Sequence, residues 1–129
     1  MNGYLLDTNT ALIAQTEPDL LAPAVGEALR RGVKFLSVVS FWEVLLKSMK
    51  GSLNVGDPRI WWTEALEQLA ATPLTLRPEH VAEVYSLPPI HRDPFDRVLI
   101  AQATVEDLRF VTTDREIRRY ASARFRVVC

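Results

Sequence analysis

Apolar positions fall into two kinds of run along the chain. Short blocks at Tyr4-Leu5-Leu6, Lys34 to Val38, Leu74 to Leu76, Arg109 to Thr112 and Phe125 to Val128 read as buried strands. Between them the spacing of three and four predicts helices over Thr10 to Ala14, Pro18 to Arg31, Ser40 to Gly51 and Arg59 to Ala71. Further helices are predicted over Pro78 to Ser86, Pro94 to about Glu106 and Arg115 to Tyr120. The helix from Pro18 turns Leu20, Leu21, Ala24, Val25, Ala28 and Leu29 inward and stops at Gly32. The helix from Pro78 turns Val81 and Val84 inward and leaves His80 at the surface. Leu87 to Arg92 is a stiff, proline-rich loop. Trp61 and Trp62 are neighbours on a helix, ~100° apart, so they cannot both face one core. One is expected at an interface or partly buried. Strands alternating with helices across crossover-length connections imply an α/β fold, a mostly parallel sheet of about five strands with helices on both faces.

The most informative stretch is Asp93-Pro94-Phe95-Asp96-Arg97-Val98-Leu99-Ile100-Ala101. Pro94 suits the first position of a helix, and Asp93 suits the N-cap before it. Asp96 then lies in the first turn, where unpaired N–H groups favour a carboxylate. Phe95, Val98, Leu99 and Gln102 trace the inward face. Three more acids share this setting. Asp7 ends the first strand in Asp7-Thr8-Asn9, Glu43 lies in Ser40-Phe41-Trp42-Glu43, and Asp114 follows Thr112-Thr113. Each also has a local reading. Asp7 or Thr8 caps the next helix, Ser40 and Glu43 form a capping box, and Asp114 caps the helix from Arg115. Lys47 lies four residues after Glu43 and reads as its surface partner.

Placement favours a shared site. In a parallel sheet the strand ends and following helix starts share one edge, where open α/β folds place ligands. Asp7, Glu43, Asp96 and Asp114 all map there. Carboxylates crowded together repel by several kcal/mol at contact distances and an effective dielectric of ~20. A hard divalent cation such as Mg²⁺ or Mn²⁺ removes that cost.

Composition narrows the alternatives. At 129 residues the chain is expected to form one domain, and 48% hydrophobic content supplies a core. The net charge of −1 gives no sign of a nucleic-acid partner. Locally, five arginines and one glutamate lie between Arg115 and Arg126, a solvated face or a phosphate-contacting one. Cys129 is the single cysteine, so an intrachain disulfide and a cysteine metal site are excluded, in keeping with a reducing compartment. The N-terminus lacks a basic region of signal-peptide type, and no apolar run approaches ~18 residues. The expected location is the cytoplasm. Glycine-rich phosphate loops and a Ser/His/acid arrangement are absent. A phosphate-accepting Asp-x-Asp needs an acid where Asn9 stands.

Taken together, Leu5-Leu6-Asp7-Thr8-Asn9, Ser40-Phe41-Trp42-Glu43, Asp93 to Ala101 and Thr112-Thr113-Asp114 resemble the four signatures of the PIN domain, in order and over nearly the whole chain. They look in particular like the VapC-type toxins of bacterial toxin–antitoxin pairs. The resemblance implies a three-layer α/β/α fold of about five parallel strands and Mg²⁺-dependent endoribonuclease activity. It also implies a homodimer, neutralised by a small VapB-like antitoxin whose C-terminal segment fills the groove. Carried over, Asp7, Glu43, Asp96 and Asp114 form the acidic quartet. Asp7, Asp96 and Asp114 would be metal ligands, and Glu43 would act through water. Thr8, Asn9 and Thr113 would support them by hydrogen bonds. Asp93 either joins the site or caps its helix. Lys47, Arg97, Arg115, Arg118 and Arg119 are candidates for RNA contact. Two other functions stay open: a PIN nuclease of RNA processing or of DNA, and a non-catalytic binding module that uses the acids as caps.

Overall fold

The computed structural model describes residues 3–90 and 93–129. His91 and Arg92, at the end of the expected proline-rich loop, lie outside the described residues.

Five strands form one sheet: β1 (Tyr4–Leu6), β2 (Lys34–Ser37), β3 (Ala71–Leu74), β4 (Arg109–Val111) and β5 (Val127–Val128). Their order is β3-β2-β1-β4-β5, and all four pairings are parallel. β1 is central, with Leu5 beside Phe35 and Phe110, and Leu6 beside Val111. Six helices cover the sheet: α1 (Thr8–Thr16), α2 (Pro23–Arg31), α3 (Val38–Met49), α4 (Pro58–Gln68), α5 (Pro78–Val84) and α6 (Pro94–Glu106). Two 3-10 turns, Pro18–Leu20 and Arg115–Tyr120, complete the described elements. None of the described helices is long and apolar enough to cross a membrane.

Strand side chains alternate between faces, so successive residues feed two cores. Leu5 and Phe110 pack with Leu99, Ile100 and Ala103 of α6 and with Ile117 and Tyr120. Leu6, Leu36 and Val111 pack on the other face with Ala11, Val25, Ala28, Val44, Trp61 and Ala65. Each buried leucine, isoleucine, valine or phenylalanine among them contributes about 1.5–3 kcal/mol through burial.

The boundaries depart from the sequence pattern at several points. The single helix expected from Pro18 to Arg31 is a 3-10 turn followed by α2. Pro23 causes the break: it lacks an N–H and pushes Ala22 out of the helical region (ψ 150°). Leu20, expected inside, is exposed. Gly32 does end α2, though with φ −90°, so conformation does not require a glycine there. Space does, because a Cβ at that position would overlap the Tyr4 ring. The third strand lies at Ala71–Leu74, earlier than Leu74 to Leu76. Pro73 is tolerated within it because β3 is an edge strand. Trp61 is buried, its Nε1–H donating to Gln15 at 2.9 Å, while Trp62 is partly buried and stacks on Phe41. Neither tryptophan needs an interface.

His80 is the clearest correction. It is fully buried, and Val81, expected inside, is half exposed. The face of α5 is turned by about one residue because His80 finds partners for both ring nitrogens. Nδ1 accepts the Arg77 backbone N–H at 3.0 Å, and Nε2 lies 2.8 Å from the Glu106 carboxylate, which also binds the Arg77 guanidinium. Beside it, Gln102 joins α6 to the sheet. Its Oε1 accepts the Ser37 hydroxyl at 2.5 Å and its Nε2 donates to the Thr75 carbonyl at 3.2 Å.

Gln102→Leu keeps roughly the same shape, leaves the buried Ser37 hydroxyl without its acceptor and gives up the bond to the Thr75 carbonyl. The expected loss of stability is about 2–4 kcal/mol, read by urea unfolding. A loss below about 0.5 kcal/mol would mean that the bridge is not structural.

Candidate active site

The chain leaves β1 towards β2 on one side, while β4 pairs with β1 on the other. This switch in direction opens a crevice at the C-terminal ends of β1 and β4. The Asp7 N–H donates to the Val111 carbonyl at 2.9 Å, so the residue after β1 is fastened to β4. Asp7 stands at the N-cap of α1, yet its side chain makes no capping bond. Instead its Oδ2 accepts the Thr112 hydroxyl at 2.7 Å. The same Thr112 oxygen accepts the Asp114 N–H at 3.0 Å. Asp7 and Asp114 are therefore linked through one buried threonine.

Glu43 arrives from α3, and the expected capping box is not formed there. Ser37 caps α3, accepting the Val39 N–H at 3.0 Å, so the helix starts before Ser40. The preceding strand ends at Ser37, which leaves Ser40 and Glu43 inside the helix. Ser40 instead accepts the Thr8 hydroxyl at 2.7 Å, tying α1 to α3. Glu43 is 5% exposed. Its Oε2 holds the Lys47 ammonium at 2.7 Å, and among the described residues its buried Oε1 finds no hydrogen-bond partner.

α6 brings the remaining acids. Asp93 caps it, Oδ1 accepting the Phe95 N–H at 2.8 Å, and Asp96 follows in the first turn. Asp114 caps the 3-10 turn through the Glu116 N–H at 2.9 Å. The local readings of Asp93 and Asp114 thus hold alongside the shared one. A cleft of about 310 Å³ is lined by Asp7, Glu43, Asp93, Asp96 and Asp114 together with Lys47. Thr8, Asn9 and Thr113 also line it. Thr112, which sequence reasoning passed over, makes the buried bond to Asp7; its one signal was the strand alternation that turns it inward when Thr113 faces out.

The basic candidates separate. Lys47 lines the cleft. Arg97 does not; its guanidinium donates to the Pro88 and Ile90 carbonyls at 3.0 and 3.3 Å and to the Tyr120 hydroxyl at 3.3 Å. It braces the loop before α6. Arg115 lines a smaller neighbouring pocket with Thr113 and Cys129, while Arg118 and Arg119 are exposed.

Charge is tense here. Burial pushes the Asp7 carboxyl above its usual range, the Thr112 hydroxyl opposes that, and the nearby Glu43 charge adds to it. The Lys47 ammonium is held above its usual value by its hydrogen bond to Glu43, against some burial, with Asp93 and Asp96 adding attraction. An oxygen-rich donor set with one buried carboxylate oxygen unpartnered suits a hard divalent cation. Among the described residues, no three acidic, histidine or cysteine side chains are already gathered for ligation. Side-chain rotation would have to close the site.

The PIN domain family matches residues 4–123. The chain belongs to that family. Ribonuclease VapC22 of Mycobacterium tuberculosis is 26% identical over 126 residues, covering 96% of each chain. A chain of VapBC2 from Rickettsia felis, solved bound to a promoter DNA fragment, superposes with a TM-score of 0.70 at 14% identity, over 100% of both chains. One of VapBC-1 from nontypeable Haemophilus influenzae gives 0.67 at 15%, over 98% of both. These structural likenesses establish the three-layer α/β/α PIN fold, with its parallel five-stranded sheet.

The raised Asp7 pKa fixes a sign. The native state holds that proton more tightly than the unfolded chain, so ionising Asp7 costs stability as pH rises above 3.8. In EDTA, wild type should lose stability relative to Asp7→Asn as pH rises from about 4 towards 7, leaving the variant with the higher Tm at neutral pH. Equal Tm curves across that range would remove the charge conflict.

Proposed function

We propose that the chain, acting as one domain, is a Mg²⁺-dependent endoribonuclease and the toxin of a VapBC-type pair. The observation that carries this is the gathering of Asp7, Glu43, Asp96 and Asp114 in one cleft, with the buried Oε1 of Glu43 left without a partner among the described residues. Whole-length similarity to a protein named as a ribonuclease supports the substrate class. A VapB-like antitoxin follows from the same likeness, and a homodimer in the cytoplasm is the form we infer.

Asp7, Asp96 and Asp114 would hold the ion, with Mn²⁺ able to replace Mg²⁺. When bound, the ion lowers the pKa of water and offsets charge on the phosphate oxygens. Thr112 fixes the orientation of Asp7, so one carboxylate oxygen is committed and the rotation of the group is restricted. Glu43 would orient the attacking water and accept its proton, with Lys47 holding one of its oxygens. In-line attack by water leaves 5′-phosphate and 3′-hydroxyl ends, with no covalent enzyme intermediate.

Cleavage of RNA by the purified protein should require Mg²⁺ or Mn²⁺ and stop in EDTA. Asp7→Asn should lower it about 100- to 1000-fold, the usual loss on removing one preorganised electrostatic group. Mg²⁺ should raise the Tm of wild type and not of Asp7→Asn. Products ending in 2′,3′-cyclic phosphate, or equal activity in both proteins after removal of any bound antitoxin, would overturn the assignment. A protein that cut DNA and left RNA intact would favour the other nuclease reading.

A further inference from the structure

We propose that the indole of Trp42 is a stacking platform for an unpaired base of single-stranded RNA, beside the phosphate held in the cleft. This rests on the ribonuclease reading and adds how the site grips its substrate.

Trp42 immediately precedes Glu43 on α3. It is 53% exposed, whereas Trp61 and Trp62 are occupied by contacts within the protein. Its ring packs against Phe95 in a T-shaped contact, with centroids 4.9 Å apart and planes at 78°. Phe95 is pinned in the first turn of α6 by the Asp93 cap, and Asp96 follows it. Each member of the aromatic pair is thus followed in the chain by a residue that lines the cleft, Glu43 after Trp42 and Asp96 after Phe95, although the two rings themselves lie outside the lining. The contact with Phe95 holds the indole in place, and its exposure leaves area for a base.

Charge explains the need for such a platform. Phosphate attraction is the usual source of nucleic-acid affinity. Lys47, the cation among the described residues lining the cleft, has its ammonium held by Glu43. Arg97 is committed to backbone carbonyls. Stacking on an aromatic face needs no cationic surface, accepts any base and strengthens binding by roughly tenfold or more per base. It requires a base that is out of a duplex, so single-stranded RNA is the ligand.

Cleavage kinetics and fluorescence test this together. For a single-stranded RNA of about eight nucleotides, Trp42→Ala should raise KM about tenfold with kcat nearly unchanged, and Trp42→Tyr should restore KM. In the Asp7→Asn background, the same RNA should quench tryptophan fluorescence, and its duplex should not. The quench should vanish in Trp42→Phe while that protein still binds. The Mg²⁺-induced rise in Tm should survive Trp42→Ala, showing an intact site. An unchanged KM, a quench that persists in Trp42→Phe, or a Trp42→Ala protein altered in sedimentation would each overturn the platform. If wild type does not cleave, the ribonuclease reading falls, and the quench alone then decides whether Trp42 meets RNA.

Discussion

The pairing of β1 with β4 is the constraint on which the site depends. It brings Tyr4, Leu5 and Leu6 beside Arg109, Phe110 and Val111, although about a hundred positions separate them in the chain. Both strands are short, and Leu5, Leu6, Phe110 and Val111 on their two faces are fully buried. A slip of one residue would turn Leu5 and Leu6 to the wrong cores and separate Asp7 from Thr112. The register that fills the two cores is thus the one that forms the 2.7 Å bond between the Thr112 hydroxyl and Asp7. Packing and site geometry are set by a single alignment.

That coupling bears on how the acids can be both local and shared. Asp93 and Asp114 each cap a helical turn through Oδ1. Capping fixes each carboxylate at a helix start on the cleft, so a stabilising contact doubles as a positioning one. Asp7 and Glu43 differ. Neither caps its helix and both are buried; burial raises the Asp7 pKa, and among the described residues Oε1 of Glu43 has no hydrogen-bond partner. They are the residues for which stability alone gives no account, since burying the Asp7 charge and leaving a Glu43 oxygen without a partner are both costly.

Much of this was legible in the sequence because it is local. Pro94 to Glu106 forms the helix its proline, cap and spacing predict, and alternating strands and helices gave the parallel sheet. Errors arose where a tertiary contact outweighed the local pattern. Ser40 and Glu43 match a capping box, yet β2 ends at Ser37, whose hydroxyl also meets Gln102 from α6. His80 looks like a surface residue until Glu106, on another helix, is known to lie 2.8 Å away. Thr112 and Thr113 are indistinguishable until the alternation of β4 decides which turns inward. Pro23 is a different case: the break was readable, and the apolar face of the expected long helix obscured it.

The same network limits how freely the site can close. Gln102 ties α6 to the N-cap of α3, and the Thr8–Ser40 bond ties α1 to α3. Rigid-body movement of α3 or α6 towards the cleft would break buried hydrogen bonds. Rotation of Glu43 about its own side-chain bonds leaves those bonds intact; its cost is loosening the contact with Lys47, which is itself about half exposed. An ion drawing the carboxylates together would therefore act on side chains and leave the helices in place. Lys47 has a definite electrostatic role: its ammonium, 2.7 Å from Oε2, offsets the charge of the buried Glu43 carboxylate.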